Sequence, residues 1–181
     1  MFDVCSALPY AASQVMTVDG RALANYVLDY AESSVRPLTH LDLQKIIFFC
    51  HAWHLVKRGL PLVKEEFEAW QYGPVLQYLY REFRSAGDKP VRNRAKMLDR
   101  KNGTMITAFS DLDVETKAIV DEAIQFYGRL PTRKLVEISH AEGGPWYQVW
   151  NFEGKVNPGM RISHDSIKSF YSKSIPGIRL S

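Results

Sequence analysis

Between Leu41 and Val56 the chain places Leu41, Leu43, Ile46, Ile47, Phe48, Phe49, Cys50, Ala52, Trp53, Leu55 and Val56 almost all the way round a helical circumference. A helix that is apolar on every side has no solvent face and must be enclosed by other elements. That segment constrains the fold more than any other, because the rest of the chain has to wrap it. With 181 residues, 46% of them apolar and 24% charged, there is enough length and hydrophobicity to do so as one domain.

The ends of the helix are marked. Thr39-His40-Leu41-Asp42 is a capping box with the shorter acid at its third position, and Gly59 followed by Leu60-Pro61 ends the run. Upstream, Ala22, Leu23, Tyr26, Val27 and Tyr30 repeat at helical spacing and predict a helix over 19–33, capped by Thr17 or Asp19. Downstream, residues 67–72 alternate as a short strand or extended segment ended by Gly73-Pro74, and Pro74 is expected as the first residue of a helix running through Phe83. Thr104 to Phe109 predicts another strand, with Asn102-Gly103 as its hairpin turn. Further helices are expected after a cap at Ser110 or Asp113, near Thr132, at Pro145 and after a cap at Ser163. The expected fold class is mainly α: a compact helical domain around a buried central helix, with a small β ribbon or short sheet. It spans 17–175. Residues 1–16 read as an N-terminal extension, with Met16 as an alternative translation start, and 176–181 as a C-terminal tail.

Composition narrows the function classes. The two cysteines, Cys5 and Cys50, are no disulfide framework, and Cys50 sits inside the apolar helix, which suits a reduced compartment; the expected location is the cytoplasm. No window approaches the roughly 18 consecutive apolar residues of a membrane span. Met1 to Val15 lacks the basic start of a secretory leader and carries Asp3 and Pro9. A net charge of +3 does not by itself announce nucleic acid.

No motif argues for catalysis, a cofactor or a metal. The histidines are His40, His51, His54, His140 and His164, and no pair has the four-residue spacing that sets two imidazoles on one helical face around zinc. His51 and His54 lie beside Cys50, but helical neighbours point about 100° apart, so packing is the better reading of that cluster. Gly143-Gly144 lacks the lysine and preceding strand of a phosphate-binding loop. The basic stretch 84–101, which includes Arg92, Arg94 and Lys96, lacks the interleaved aromatics that stack on single strands. It reads as a solvated loop, a contact for an acidic protein surface, or, as the alternative function, the ribbon of a nucleic-acid-binding regulator. Trp70 and Tyr72, and again Trp146, stand beside Gly-Pro steps; they read as structural corners, or as rigid turns that leave ring edges for a partner.

Three segments carry a resemblance to a known family, the Panacea domain, which includes SocA-like antitoxins and phage-associated GepA proteins. Leu43-Gln44-Lys45-Ile46-Ile47-Phe48-Phe49 is similar to its Leu-Gln-Lys-Leu-Leu-Tyr-Phe helix. Phe67 to Val75, reading Phe-Glu-Ala-Trp-Gln-Tyr-Gly-Pro-Val, resembles its Glu-Ala-Trp-x-Tyr-Gly-Pro-Val segment, and His140 to Trp146 resembles its late His-x-Glu-x-Pro-Trp element with one extra glycine. The resemblance implies a helical domain without catalytic residues that neutralises a cognate toxin encoded nearby by direct protein contact. In at least one branch it implies an adaptor that delivers the toxin to a protease, so a protease or chaperone is a possible further partner. Nucleic acid, membrane and cofactor are not expected partners. Combined with the residue reading, the expected partner-binding residues are Trp70, Tyr72, Trp146, Arg92, Arg94 and Lys96.

Overall fold

The elements follow in the order α1 (Gly20–Ser34), α2 (His40–Arg58), β1 (Phe67–Trp70), β2 (Gly73–Val75), α3 (Gln77–Phe83), β3 (Lys96–Asp99), β4 (Thr104–Thr107), α4 (Val114–Tyr127), α5 (Thr132–Ser139), α6 (Pro145–Trp150), β5 (Arg161–Ile162) and α7 (His164–Tyr171). They come from a computed structural model that describes residues 17–153 and 159–173. The expected extension 1–16, with Cys5 and Met16, and the tail 176–181 lie outside the described residues. The fold is mainly α with small antiparallel sheets.

The starts of α1, α2, α4 and α7 are each fixed by a polar side chain that meets an otherwise orphaned N–H. Asp19 accepts from the Arg21 N–H, Asp113 from that of Thr116 and Ser163 from that of Ser166. At α2 the capping box forms as its sequence indicated: Thr39 accepts from the Asp42 N–H and Asp42 from the Thr39 N–H. Gly59 closes that helix at φ 75°.

Helix α2 is the axle of the molecule, buried without interruption from Asp42 to Leu55. It is enclosed by α1, α4, α5, α7 and the β1–β2 hairpin. Aromatic rings knit the enclosure: Phe49 stacks on Tyr127 of α4 at 4.0 Å, and Phe48 meets Phe67 of β1 and Tyr171 of α7 edge-on. Such pairs add about 0.5–1.5 kcal/mol each beyond the area they bury. One cluster of buried apolar side chains runs from Leu23 to Tyr171. Among the described residues no helix is long and apolar enough to cross a membrane.

The strands form a three-stranded antiparallel sheet in the order β2-β1-β5 and a separate β3–β4 hairpin. The first sheet corrects one expectation. Pro74 does not begin a helix; it pairs with Ala69 inside β2, and α3 starts three residues later at Gln77. The cause lies in α2, whose Gln44 and Lys45 side chains bond the backbone of Leu76 and Pro74 and hold that stretch extended. The second hairpin is closed from outside itself. Asn25, buried on α1, donates to the carbonyls of Ala95 and Ala108 at 2.9 and 2.8 Å and accepts from the Ala95 N–H at 2.8 Å.

Candidate functional site

Of the buried polar residues of α2, Gln44 and Lys45 reach the β1–β2 hairpin and the residue that follows it. Gln44 bonds Leu76 in both directions, donating to its carbonyl at 3.2 Å and accepting from its N–H at 2.9 Å, as a neighbouring strand would. Lys45 donates to the Pro74 carbonyl at 2.8 Å from a wholly buried position. Gly73 lies directly above, at φ 98°; a Cβ there would sit 2.5 Å from Ser139 Oγ and 2.8 Å from Lys45 Cε. The hairpin thus seats on α2 and on the end of α5 only because residue 73 has no side chain.

The other side of the hairpin is held by the segment that follows α5. Trp146, at the start of α6, donates its indole N–H to the Trp70 carbonyl at 2.8 Å. The His140 ring stacks on Trp146 at 3.6 Å and Trp150 stacks on it at 5.4 Å. The three sequence segments singled out above therefore converge on one object, the Trp70–Leu76 corner, which they clamp from below and from the side.

What the clamp presents is aromatic. Trp70 donates its N–H to Glu68 at 2.8 Å and leans on Tyr80 of α3 at 4.9 Å, and Tyr80 meets His40 edge-on. Gln71 and Tyr72 form the turn, with Tyr72 60% exposed. Beside it opens a cleft of about 560 Å³ lined by Thr39, His40, Gln44, Trp70, Tyr72, Tyr80 and Asp88 among others.

Burial without a carboxylate partner pushes the Lys45 ammonium down from 10.5 to about 7. Its folded value lies below its unfolded one, so between the two the unfolded chain binds the extra proton. The contribution of Lys45 to stability is complete above the unfolded value and is lost as pH falls toward the folded one. Urea unfolding at pH 7 and at pH 10 is therefore expected to show wild type gaining stability relative to Lys45→Met at the higher pH. An unchanged difference between the two proteins rules out a neutral folded lysine.

The expected contact residues fall into two places. Trp70 and Tyr72 form the aromatic corner, whereas Trp146 is only 5% exposed and acts as the corner's support. Arg92 and Arg94 are engaged with α1: Arg92 pairs with Glu32 at 2.7 Å, and Arg94 with Asp29 at 2.7 Å and Glu32 at 2.9 Å. Lys96 opens β3, is exposed, and makes no ion pair among the described residues.

The histidine and cysteine cluster separates in space. His51 accepts from the Val63 N–H and packs against His164, while His54 bonds the Leu60 carbonyl and Thr116. Burial pushes the Cys50 thiol far up, away from thiolate chemistry. Among the described residues no group of three His, Cys, Asp or Glu side chains is arranged to hold a metal ion. Sequence reasoning missed Gln44 and Lys45 as hairpin anchors. The signal was present as two adjacent long polar residues in the first turns of a helix that is apolar nearly all round.

Comparisons with known proteins cover the same three segments. The model of the family described as antitoxin SocA-like, Panacea domain, matches residues 43–147, a span that runs from the start of the α2 motif to the Trp146 support. The Antitoxin SocA of Caulobacter vibrioides (strain NA1000 / CB15N) is 37% identical over 162 residues, covering 89% of this chain and 86% of that protein. No solved structure matches. With a family model covering more than half of the chain and a relative aligned over nearly all of it, the protein belongs to the SocA-like antitoxin family of the Panacea domain.

Proposed function

We propose that this protein acts as an antitoxin in the cytoplasm, neutralising a toxin encoded beside it by direct binding and without chemistry of its own. The unit that binds is residues 17–175. The observation that carries the reading is the aromatic corner: an exposed Tyr72 on a hairpin anchored by Gln44, Lys45 and Trp146. Rigid aromatics lose little freedom on binding and dominate interface energetics, which is why Trp70 and Tyr72 are the first candidate contacts. Trp146 serves them as a positioning residue, Lys96 extends the contact along the ribbon, and Arg92 and Arg94, paired with α1, hold that ribbon in place. Delivery of the bound toxin to a protease or chaperone is a further step of the same reading.

The rival reading, a nucleic-acid-binding regulator, is disfavoured by Arg92 and Arg94. Their guanidinium groups already face Glu32 and Asp29, so they are not free to neutralise phosphates.

Co-expression tests the proposal. The chain is expected to restore growth against the product of the neighbouring gene, and Tyr72→Ala to weaken that complex by roughly tenfold or more with an unchanged melting temperature. A wild-type chain that neither restores growth nor binds that product overturns the antitoxin reading; a toxin half-life that this chain does not shorten removes the delivery step.

A further inference from the structure

The β3–β4 hairpin has two unlike faces. Directly opposed residues of an antiparallel pair share a face, and successive residues alternate. The register sets Lys96 against Thr107 and Leu98 against Met105 on one face, and Met97 against Ile106 on the other. Met97 and Ile106 are half-buried, whereas Lys96, Leu98, Met105 and Thr107 are all exposed, Leu98 at 54% and Met105 at 58%. Scattered exposed apolar side chains are ordinary, but here two of the largest are neighbours across the strands and form one patch.

Charge frames that patch. Lys96 shares its face, and Arg100 and Lys101 occupy the turn, all exposed. Among the described residues none of the three has an ion pair, in contrast to Arg92 and Arg94 just upstream. The carboxylate at the end of β3, Asp99, accepts from the Lys101 N–H at 2.9 Å and from Asn102 at 2.8 Å, so it is turned into the loop. The hairpin does not need the patch for its own anchorage, which Asn25 supplies at its base.

We infer that the exposed face of this hairpin, centred on Leu98 and Met105 and rimmed by Lys96, Arg100 and Lys101, is a docking surface for an acidic protein surface with an apolar centre, carried by the toxin. The inference rests on the antitoxin reading and adds to it a second contact remote in sequence from the aromatic corner. An apolar centre with a cationic rim matches a protein partner of opposite charge. Nucleic acid would meet the cations but leave the Leu98–Met105 pair against phosphate and sugar. A second copy of this chain would bring like charges together.

Titration calorimetry of the full chain against the purified neighbouring gene product, at low and high salt, tests it with two variants, Leu98→Ser/Met105→Ser and Lys96→Glu/Arg100→Glu/Lys101→Glu. Both alter exposed side chains only, and an unchanged melting temperature verifies that each folds. Each is expected to weaken binding about tenfold or more, the charge variant losing most at low salt, where charges are least screened. Affinities within about twofold of wild type for both variants overturn the inference while leaving the antitoxin reading intact. So does a charge variant that loses only binding to duplex DNA from its own promoter, or an apolar variant that loses only self-association in sedimentation. A wild-type chain that binds no toxin overturns the antitoxin reading itself, and this inference with it.

Discussion

Gly73→Ala is expected to destabilise the protein by roughly 2–5 kcal/mol and to remove the aromatic corner from its position. Two separate costs add. A side chain at φ 98° is strained wherever it stands, at about 1–3 kcal/mol. In addition the new methyl would lie 2.5 Å from Ser139 Oγ and 2.8 Å from Lys45 Cε, distances that non-bonded carbon and oxygen do not tolerate. Neither neighbour has room to withdraw, since Lys45 is wholly buried and Ser139 nearly so. Gly103→Ala supplies the control: its φ is 67° but nothing lies within 4 Å, so only the strain applies. Chemical denaturation of both variants checks the expectation, and equal losses at the two positions refute the seating described for the hairpin.

Asp42→Ala is expected to cost about 2–4 kcal/mol, because it strips several buried donors of their acceptor and takes the carboxylate from a partly exposed Arg36. The Asp42 side chain is fully buried, and four donors converge on it: Arg36 at 2.9 Å, Thr132 at 2.6 Å, and the hydroxyl and N–H of Thr39 at 2.9 and 3.1 Å. Loss of a helix cap alone would cost only about 1 kcal/mol. The excess comes from Arg36, which also bonds the carbonyls of Gly128 and Leu130 and so ties α2 to the α4–α5 connection. Burial by itself would raise the Asp42 carboxyl, but the bonds from Arg36, Thr132 and Thr39 outweigh it and hold the group below its ordinary value of 3.8. A lowered folded value means that this stability is present above the unfolded pKa and is lost as pH falls through the folded one. Wild type is therefore expected to lose stability below about pH 4 more steeply than Asp42→Asn, measured by thermal melts down to pH 2. Parallel acid limbs for the two proteins contradict an ionised Asp42.

The helical frame was legible because its signals are local. Asp19, Thr39, Asp113 and Ser163 cap the helices their positions suggest, and the apolar circumference of α2 required the enclosure that α1, α4, α5 and α7 provide. What the local signals misplaced was Pro74. Its fixed φ suits a helix start as well as a strand, and the choice is made by Gln44 and Lys45, about thirty residues away. The aromatic corner shows the same limit. Trp70, Tyr72 and Trp146 read alike in sequence as rings beside Gly-Pro steps. Only the fold separates the exposed Tyr72 from the buried Trp146 that bonds the Trp70 carbonyl. Arg92 and Arg94 read as free cations because Asp29 and Glu32, their partners, lie on a helix that had no sequence proximity to them.

The three Asn25 bonds at Ala95 and Ala108 have a consequence for how such a protein changes over time. A loop whose ends are fastened by an outside residue carries little obligation to the interior, and lengthening it costs only slowly growing closure entropy. The outward face between the two alanines, unlike half-buried Met97 and Ile106, is thereby exempt from the packing demands that govern α2. Substitution or insertion at the tip of that stretch therefore leaves the helical body unchanged.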